Sequence, residues 1–308
     1  MTPPKSKLVY FGSPNFSAHT VYALAQQYPV VLVVTQPDSL QGRKKILTPT
    51  PVKLIAKKLG LRVFDGTNLG ELASIISQLK PDIGILFGYG KILPTQVLQL
   101  FMHGILNLHP SLLPRYRGAA PVQWAVHDGV AKTGVTIIRL DHELDHGPMV
   151  AQLPTAIRPE ENAYQLNLRL AEQGTQLLIT ILPQYLAGKI DLQPQDDTQA
   201  TYCRPLRRTD GLVNWRNSAQ SIYRAYLAFM PWPGIYTVIH KNHIILENIQ
   251  IVVQKNTTPG KITVLPPNHE LVIECGQDAL KILQLKPAGK KSMSGREYII
   301  GHQAILNK

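Results

Sequence analysis

Two cysteines in 308 residues, Cys203 and Cys275, with no C-x-x-C pair, exclude a disulfide framework and leave two free thiols as the plain reading. Charge is sparse at 17%, and with 44% apolar residues the chain has too much to bury to remain disordered. No apolar run approaches the ~18–20 residues that a membrane-spanning helix needs. The lysines near the N-terminus are not followed by the apolar stretch of a signal peptide, so a soluble, cytoplasmic protein with no membrane partner is expected. Acidic residues are the other shortage: 20 against 32 basic ones, a net charge of +12. The excess is uneven. From Arg204 to Lys308 there are 14 Lys and Arg against 6 Asp and Glu, a net +8, and the first 203 residues carry only +4. That asymmetry points to a polyanionic partner, nucleic acid before a membrane surface.

What is present is length enough for two domains and two contrasting patterns. The first half alternates short apolar runs with amphipathic stretches. Lys7–Phe11, Val30–Val34, Ile83–Phe87, Gly104–Leu108 and Gly134–Leu140 read as strands. Between them Phe16–Gln27, Pro51–Leu59 and Leu69–Leu79 read as helices, and Pro94 starts another. This βαβα rhythm predicts a doubly wound, mainly parallel, Rossmann-like sheet. A long helical region runs from Asn162 to Ala187. Residues 190–206, rich in Gln, Asp and Pro, read as a linker between a domain over 1–189 and one over 207–308. The second domain opens with a helix, Ser218–Phe229, and continues in short strands separated by Pro, Gly and Asn turns, the pattern of a small OB-like β-barrel.

Two motif matches mislead. His142-Glu143-Leu144-Asp145-His146 spells H-E-x-x-H, which binds zinc only on a helix that sets both imidazoles on one face. A strand precedes it and Gly147-Pro148 follows at once, so no helix and no metal are expected there. Gly88-Tyr89-Gly90 opens a G-x-G pattern that Leu93 breaks, leaving a tight turn as the better account. The informative block is Asn107 to Pro121. Asn107 and His109 alternate on a strand and so face one side. They stand at a strand's carboxyl end, where open α/β sheets place their ligands. An amide and an imidazole together can polarise a carbonyl and move a proton. Asp145, in a turn after another strand, is the acid expected to face them across neighbouring strand ends.

These segments resemble the methionyl-tRNA formyltransferase family over nearly the whole chain. The matches are Phe11-Gly12-Ser13-Pro14-Asn15-Phe16, Thr35-Gln36-Pro37-Asp38, Gly42-Arg43-Lys44-Lys45, Pro49 to Lys53, Tyr89 to Pro94, Asn107 to Pro121 and Thr133 to Thr136. In the second domain Pro231-Trp232-Pro233 and Pro287 to Ser294 also match. The Asn–His–Asp set and the Ser-Leu-Leu-Pro run are shared by folate-dependent formyltransferases generally; the Gly-Arg-Lys loop and the Lys290-Lys291 segment are particular to the tRNA branch. Pro110 stands where the family often has Gly, and His146 and Pro148 where it more often has Thr and Asp.

The resemblance implies formyl transfer from 10-formyltetrahydrofolate to the α-amine of initiator methionyl-tRNA, without a metal. On that reading Asn107 donates to the developing oxyanion. His109, protonated, stabilises the same charge, and Asp145 supports that proton and helps to remove the amine's. Ser111, Leu112, Leu113 and Pro114 would hold the pterin. Arg43, Lys44 and Lys45 would enter the acceptor end of the tRNA, and Lys290 and Lys291 would meet phosphates. Nothing demands more than a monomer. The rival expectation is a folate formyltransferase acting on a nucleotide sugar or another small amine, which would share Asn107, His109 and Asp145 but would not need the basic loop or the basic second domain. A non-catalytic RNA-binding protein on the same fold would have no use for all three.

Overall fold

The computed structural model describes residues 6–42, 44–239, 242–266 and 269–302. In chain order the first half contains β1 (Leu8–Gly12), α1 (Asn15–Ala25), β2 (Val30–Val34), β3 (Ser39–Gln41), β4 (Ile46–Thr48), α2 (Pro51–Lys58) and β5 (Val63–Phe64). It continues with α3 (Leu69–Leu79), β6 (Ile83–Phe87), α4 (Thr95–Leu98), β7 (Ile105–His109), β8 (Arg117–Gly118), α5 (Pro121–Asp128), β9 (Lys132–Arg139), β10 (Met149–Ala156) and α6 (Ala163–Leu186). Then come β11 (Tyr202–Cys203), α7 (Ala219–Phe229), β12 (Ile235–Ile239), β13 (Asn242–Val252), β14 (Ile262–Leu265), β15 (Glu270–Glu274), β16 (Ala279–Pro287), β17 (Met293–Ser294) and α8 (Gly295–Gly301).

The chain divides into two compact units. The first (1–121, 131–157 and 166–204) is built on a seven-stranded sheet in the order β10-β9-β7-β6-β1-β2-β5. Its strands from β7 to β5 are parallel, as the βαβ rhythm predicts, and β9 and β10 add an antiparallel edge. Every residue of β1 and of β7 is buried, because both faces of the sheet are covered. Successive residues divide between the two covers. Leu8, Tyr10, Ile85, Leu106 and Leu108 pack with Val21, Leu24, Leu178 and Leu182. Val9, Phe11, Leu32, Val34 and Ile105 pack with Leu72, Ile76 and Phe101. Caps set the helix starts. Thr50 accepts from the Lys53 amide with Pro51 pre-set in the first turn, and Asn68 accepts from the amides of Gly70 and Glu71.

Residues 190–204, polar enough to read as a linker, belong to this unit. Ile190 and Leu192 lie against its core, and Gln193 exchanges backbone hydrogen bonds with Met149. Between β2 and α2 the chain makes an exposed hairpin, β3–β4, with Lys44 and Lys45 in its turn. Its base is tied down by Lys53, whose Nζ lies 2.6 Å from Asp38 and 2.5 Å from Asp65. The two carboxylates, Asp38 foremost, raise the pKa of this largely buried ammonium.

The second unit takes in 122–130, 158–165 and 205–308. Trp124 and His127 of α5 pack on Phe229 of α7, the His127 and Phe229 rings stacked at 5.5 Å. Its sheet is antiparallel, in the order β12-β13-β16-β15-β14 with β17 beside β16. This is the β-rich, antiparallel unit that its turn-punctuated sequence predicts. The ladders form one open path, and among the described residues none joins β14 back to β12. Ile244, Leu246, Leu271, Val272, Leu280, Ile282 and Leu285 fill its core.

Candidate active site

Asn107 and His109 share one side of β7 two residues apart, and both are almost wholly buried. The sequence suggested that Asp145 would meet them across neighbouring strand ends, and the path is different. Strand β9 runs antiparallel to β7 with Thr136 opposite His109, so it finishes at Arg139, opposite Leu106. The connection after it turns back, and Asp145 at φ +50° delivers its carboxylate to β7. Its Oδ1 accepts from Asn107 Nδ2 at 3.2 Å. Its Oδ2 accepts from the Gly118 amide at 2.9 Å and lies 3.5 Å from His109 Nδ1. The carboxylate is 9% exposed as a residue, so nearly all its solvation comes from these groups.

The other side of His109 fixes its tautomer. Nε2 lies 2.8 Å from the carbonyl oxygen of Tyr116, which can only accept, so Nε2 carries a proton. That leaves Nδ1 turned to Asp145. Tyr116 is itself left-handed, at φ +61°, in a loop closed by the short parallel pairing of β8 with β11. Tyr116 and Gly118 were legible only as parts of the Tyr116-Arg117-Gly118 match; their contacts are made through the backbone, which no residue pattern reports.

Gly118 is required on two counts. Its φ is +112°, and a Cβ there would lie 2.3 Å from the carbonyl oxygen of Cys203. We expect Gly118→Ala to displace the amide that holds Asp145, lowering turnover at least 10-fold and costing about 1–3 kcal/mol of stability. Steady-state kinetics and thermal unfolding of the purified variant check both.

The H-E-x-x-H segment contains no helix, only bends and a turn from Asp141 to Pro148. His142 is exposed, and His146 is turned to Asp141, whose carboxylate at 2.6 Å raises the imidazole's pKa. Among the described residues no group of three or more His, Cys, Asp or Glu could hold a metal ion.

Ser111 to Pro114 follow β7 after Pro110. Thr136 Oγ1 donates to the Ser111 carbonyl at 2.7 Å and accepts from the Leu113 amide at 3.1 Å, while Gln152 donates to the Leu113 carbonyl at 3.0 Å. Ser111 and Leu113 are thus buried with their backbone groups already engaged, whereas Leu112 and Pro114 keep part of their surface open. Of the basic candidates, Lys44 and Lys45 are exposed, and Arg43 lies outside the described residues. Lys290 and Lys291 are exposed in the turn between β16 and β17 of the second unit. Arg117 and Gln195 also belong to the site's surroundings, and the residue pattern gives no sign of it. They had no visible partner in the chain, yet Arg117 is among the most deeply buried side chains of the protein.

Comparison with known proteins places these features in a class. The formyl transferase family model matches residues 6–182, and the model of the formyl transferase C-terminal domain matches residues 205–303, so the chain has both parts of a formyltransferase. A methionyl-tRNA formyltransferase of Chloroflexus aggregans is 37% identical over 302 residues, covering 97% of this chain and 98% of that protein. This chain belongs to the methionyl-tRNA formyltransferase family. Among solved structures, an N-formyltransferase of Helicobacter canadensis in complex with folinic acid and dTDP-3-aminofucose has the same fold, with a TM-score of 0.68 at 15% identity over 90% of this chain and 99% of that one. HypX of Aquifex aeolicus, solved with tetrahydrofolic acid, aligns with a TM-score of 0.66 at 17% identity, over 96% of this chain and 47% of that one.

Proposed function

We propose that this protein transfers the formyl group of 10-formyltetrahydrofolate to the α-amine of initiator methionyl-tRNA, with Asn107, His109 and Asp145 as its catalytic residues. The observation that carries the reading is the buried Asp145 carboxylate, held between an amide donor and an imidazole inside a chain whose family acts on methionyl-tRNA.

Formyl transfer from nitrogen to nitrogen needs a neutral attacking amine, a sink for charge on the formyl oxygen and a path for one proton. Asn107 Nδ2 gives one N–H to Asp145, which holds the amide in place and leaves the other N–H for the formyl oxygen. A fixed donor on a developing oxyanion lowers the barrier by about 3 kcal/mol. Asp145 and His109 Nδ1 face each other at 3.5 Å, so a proton leaving the amine can be taken up between them without either group moving far. The resulting positive charge on the imidazole lies against the carboxylate until the proton passes to the folate nitrogen, which leaves as its bond to the formyl carbon breaks, and Tyr116 keeps the ring from turning. Leu112 and Pro114, the partly open members of the loop after β7, supply apolar surface for the flat pterin. Lys44 and Lys45 in the hairpin turn, with Arg43 beside them in the sequence, read the acceptor end, and Lys290 and Lys291 meet phosphates.

A sugar amine is the competing acceptor, since the fold is common to sugar N-formyltransferases. With 10-formyltetrahydrofolate fixed, charged initiator tRNA and a dTDP-amino sugar should be offered together. The tRNA should be formylated with at least about 10³-fold higher kcat/KM. Equal use of the sugar amine would overturn the tRNA assignment while leaving the formyltransferase class intact.

A further inference from the structure

We infer that Gln195 and Arg117 are positioning residues for the reaction, holding the turn that presents Asp145; the inference rests on the catalytic reading of Asp145 given above. Gln195 lies in the polar stretch between α6 and β11. Its Nε2 donates to the carbonyl oxygens of both Asp145 and Gly147, each at 2.8 Å. One primary amide thus straddles the turn and uses both of its N–H groups on it. Fixing the Asp145 carbonyl fixes the peptide that follows a left-handed residue, and with it the direction in which the Asp145 side chain leaves the backbone.

An amide can present either its nitrogen or its oxygen, and here the choice is made from behind. Gln195 Oε1 accepts from Arg117 Nε at 3.0 Å and from the NH2 nitrogen of the same guanidinium at 2.8 Å. A guanidinium only donates, so it holds the oxygen toward itself and turns the nitrogen to the turn. Arg117 is in turn fixed by Asp197 at 2.7 Å and by the Tyr202 hydroxyl at 3.2 Å, and its side chain is 2% exposed. Residue 118, its chain neighbour, donates directly to the Asp145 carboxylate. Strand β8 therefore grips Asp145 twice, at the carboxylate through an amide and at the main chain through Arg117 and Gln195.

Neither residue touches the face of Asp145 that meets Asn107 and His109, so removing them should lower kcat rather than substrate binding. The test compares Gln195→Ala and Gln195→Glu with wild type, and repeats Gln195→Ala in an Asp145→Ala background. In each, kcat, both KM values and the thermal midpoint are measured on the full-length protein with charged initiator tRNA. Gln195→Ala should lower kcat about 10-fold with both KM values within about twofold. Gln195→Glu keeps the volume and a partner for Arg117 but sets oxygen against the two carbonyls, so it should fail to restore kcat. In the Asp145→Ala background the same Gln195→Ala change should cost less than about twofold, because the group it positions is gone.

Wild-type kcat in both Gln195 variants would overturn the inference, as would rescue by Glu or an undiminished 10-fold loss in the Asp145→Ala background. Full activity of Asp145→Ala alone would instead remove the catalytic reading of Asp145, and this inference with it.

Discussion

Alanine at Asn107, His109 or Asp145 should each lower turnover by at least about 100-fold while leaving folate binding close to wild type. The magnitude is that of losing one oxyanion donor or one acid–base group. The three are not independent. Asp145 accepts from Asn107 and faces His109, so each single change also loosens the other two. Double variants should therefore fall well short of the product of the single losses. Asp145→Asn sharpens the point. An amide can still accept from the Gly118 N–H but cannot neutralise an imidazolium or take a proton, so it should be nearly as slow as Asp145→Ala. Turnover and folate affinity of each purified variant check this, and near-wild-type turnover by His109→Ala would break the assignment.

Neutralising Lys290 and Lys291 together should weaken tRNA binding roughly 40-fold near 0.1 M salt. Each phosphate contact contributes about 0.7–0.9 to the slope of log affinity against log salt, and thus about 6-fold in affinity at that concentration. The slope itself should become shallower by about 1.4–1.8. Both side chains are exposed in a turn within the stretch from Arg204 to Lys308 that carries +8 of the net charge, free to meet a polyanion without desolvating a core. The loss should be the same for initiator and elongator tRNAs, because phosphates carry no sequence. A salt series for both tRNAs measures it; unchanged slopes would remove these two lysines from the interface.

The strands of the parallel core were legible because burial on both faces writes continuous apolar runs such as Val30–Val34 and Ile83–Phe87. Pro51 and Gly60 marked the limits of α2 because proline suits a helix's first turn and glycine the left-handed position past its end, where Gly60 has φ +68°. Strand β10 was not legible. Its sequence mixes Gln152, Pro154 and Thr155 with apolar residues, a mixture tolerated because β10 is the sheet's edge. The β3–β4 hairpin escaped because both of its strands are exposed and three residues long. At the site, Asn107, His109 and Asp145 were visible as residue types in a suggestive order. The direction from which Asp145 arrives was not, since the antiparallel run of β9 against β7 is a tertiary fact. Gln195 was hidden for a related reason. A lone glutamine in a polar stretch has no signal until the carbonyls and the guanidinium that use it are brought to it.

The most direct test follows the formyl group itself. Wild-type protein and Asp145→Ala are given 10-formyltetrahydrofolate labelled in the formyl carbon, together with charged initiator tRNA, and the label on the methionine nitrogen is timed. The account predicts rapid appearance of N-formylmethionyl-tRNA with wild type and a rate at least about 100-fold lower with Asp145→Ala. Label that stays on the folate with wild type, or moves equally fast with Asp145→Ala, would contradict it.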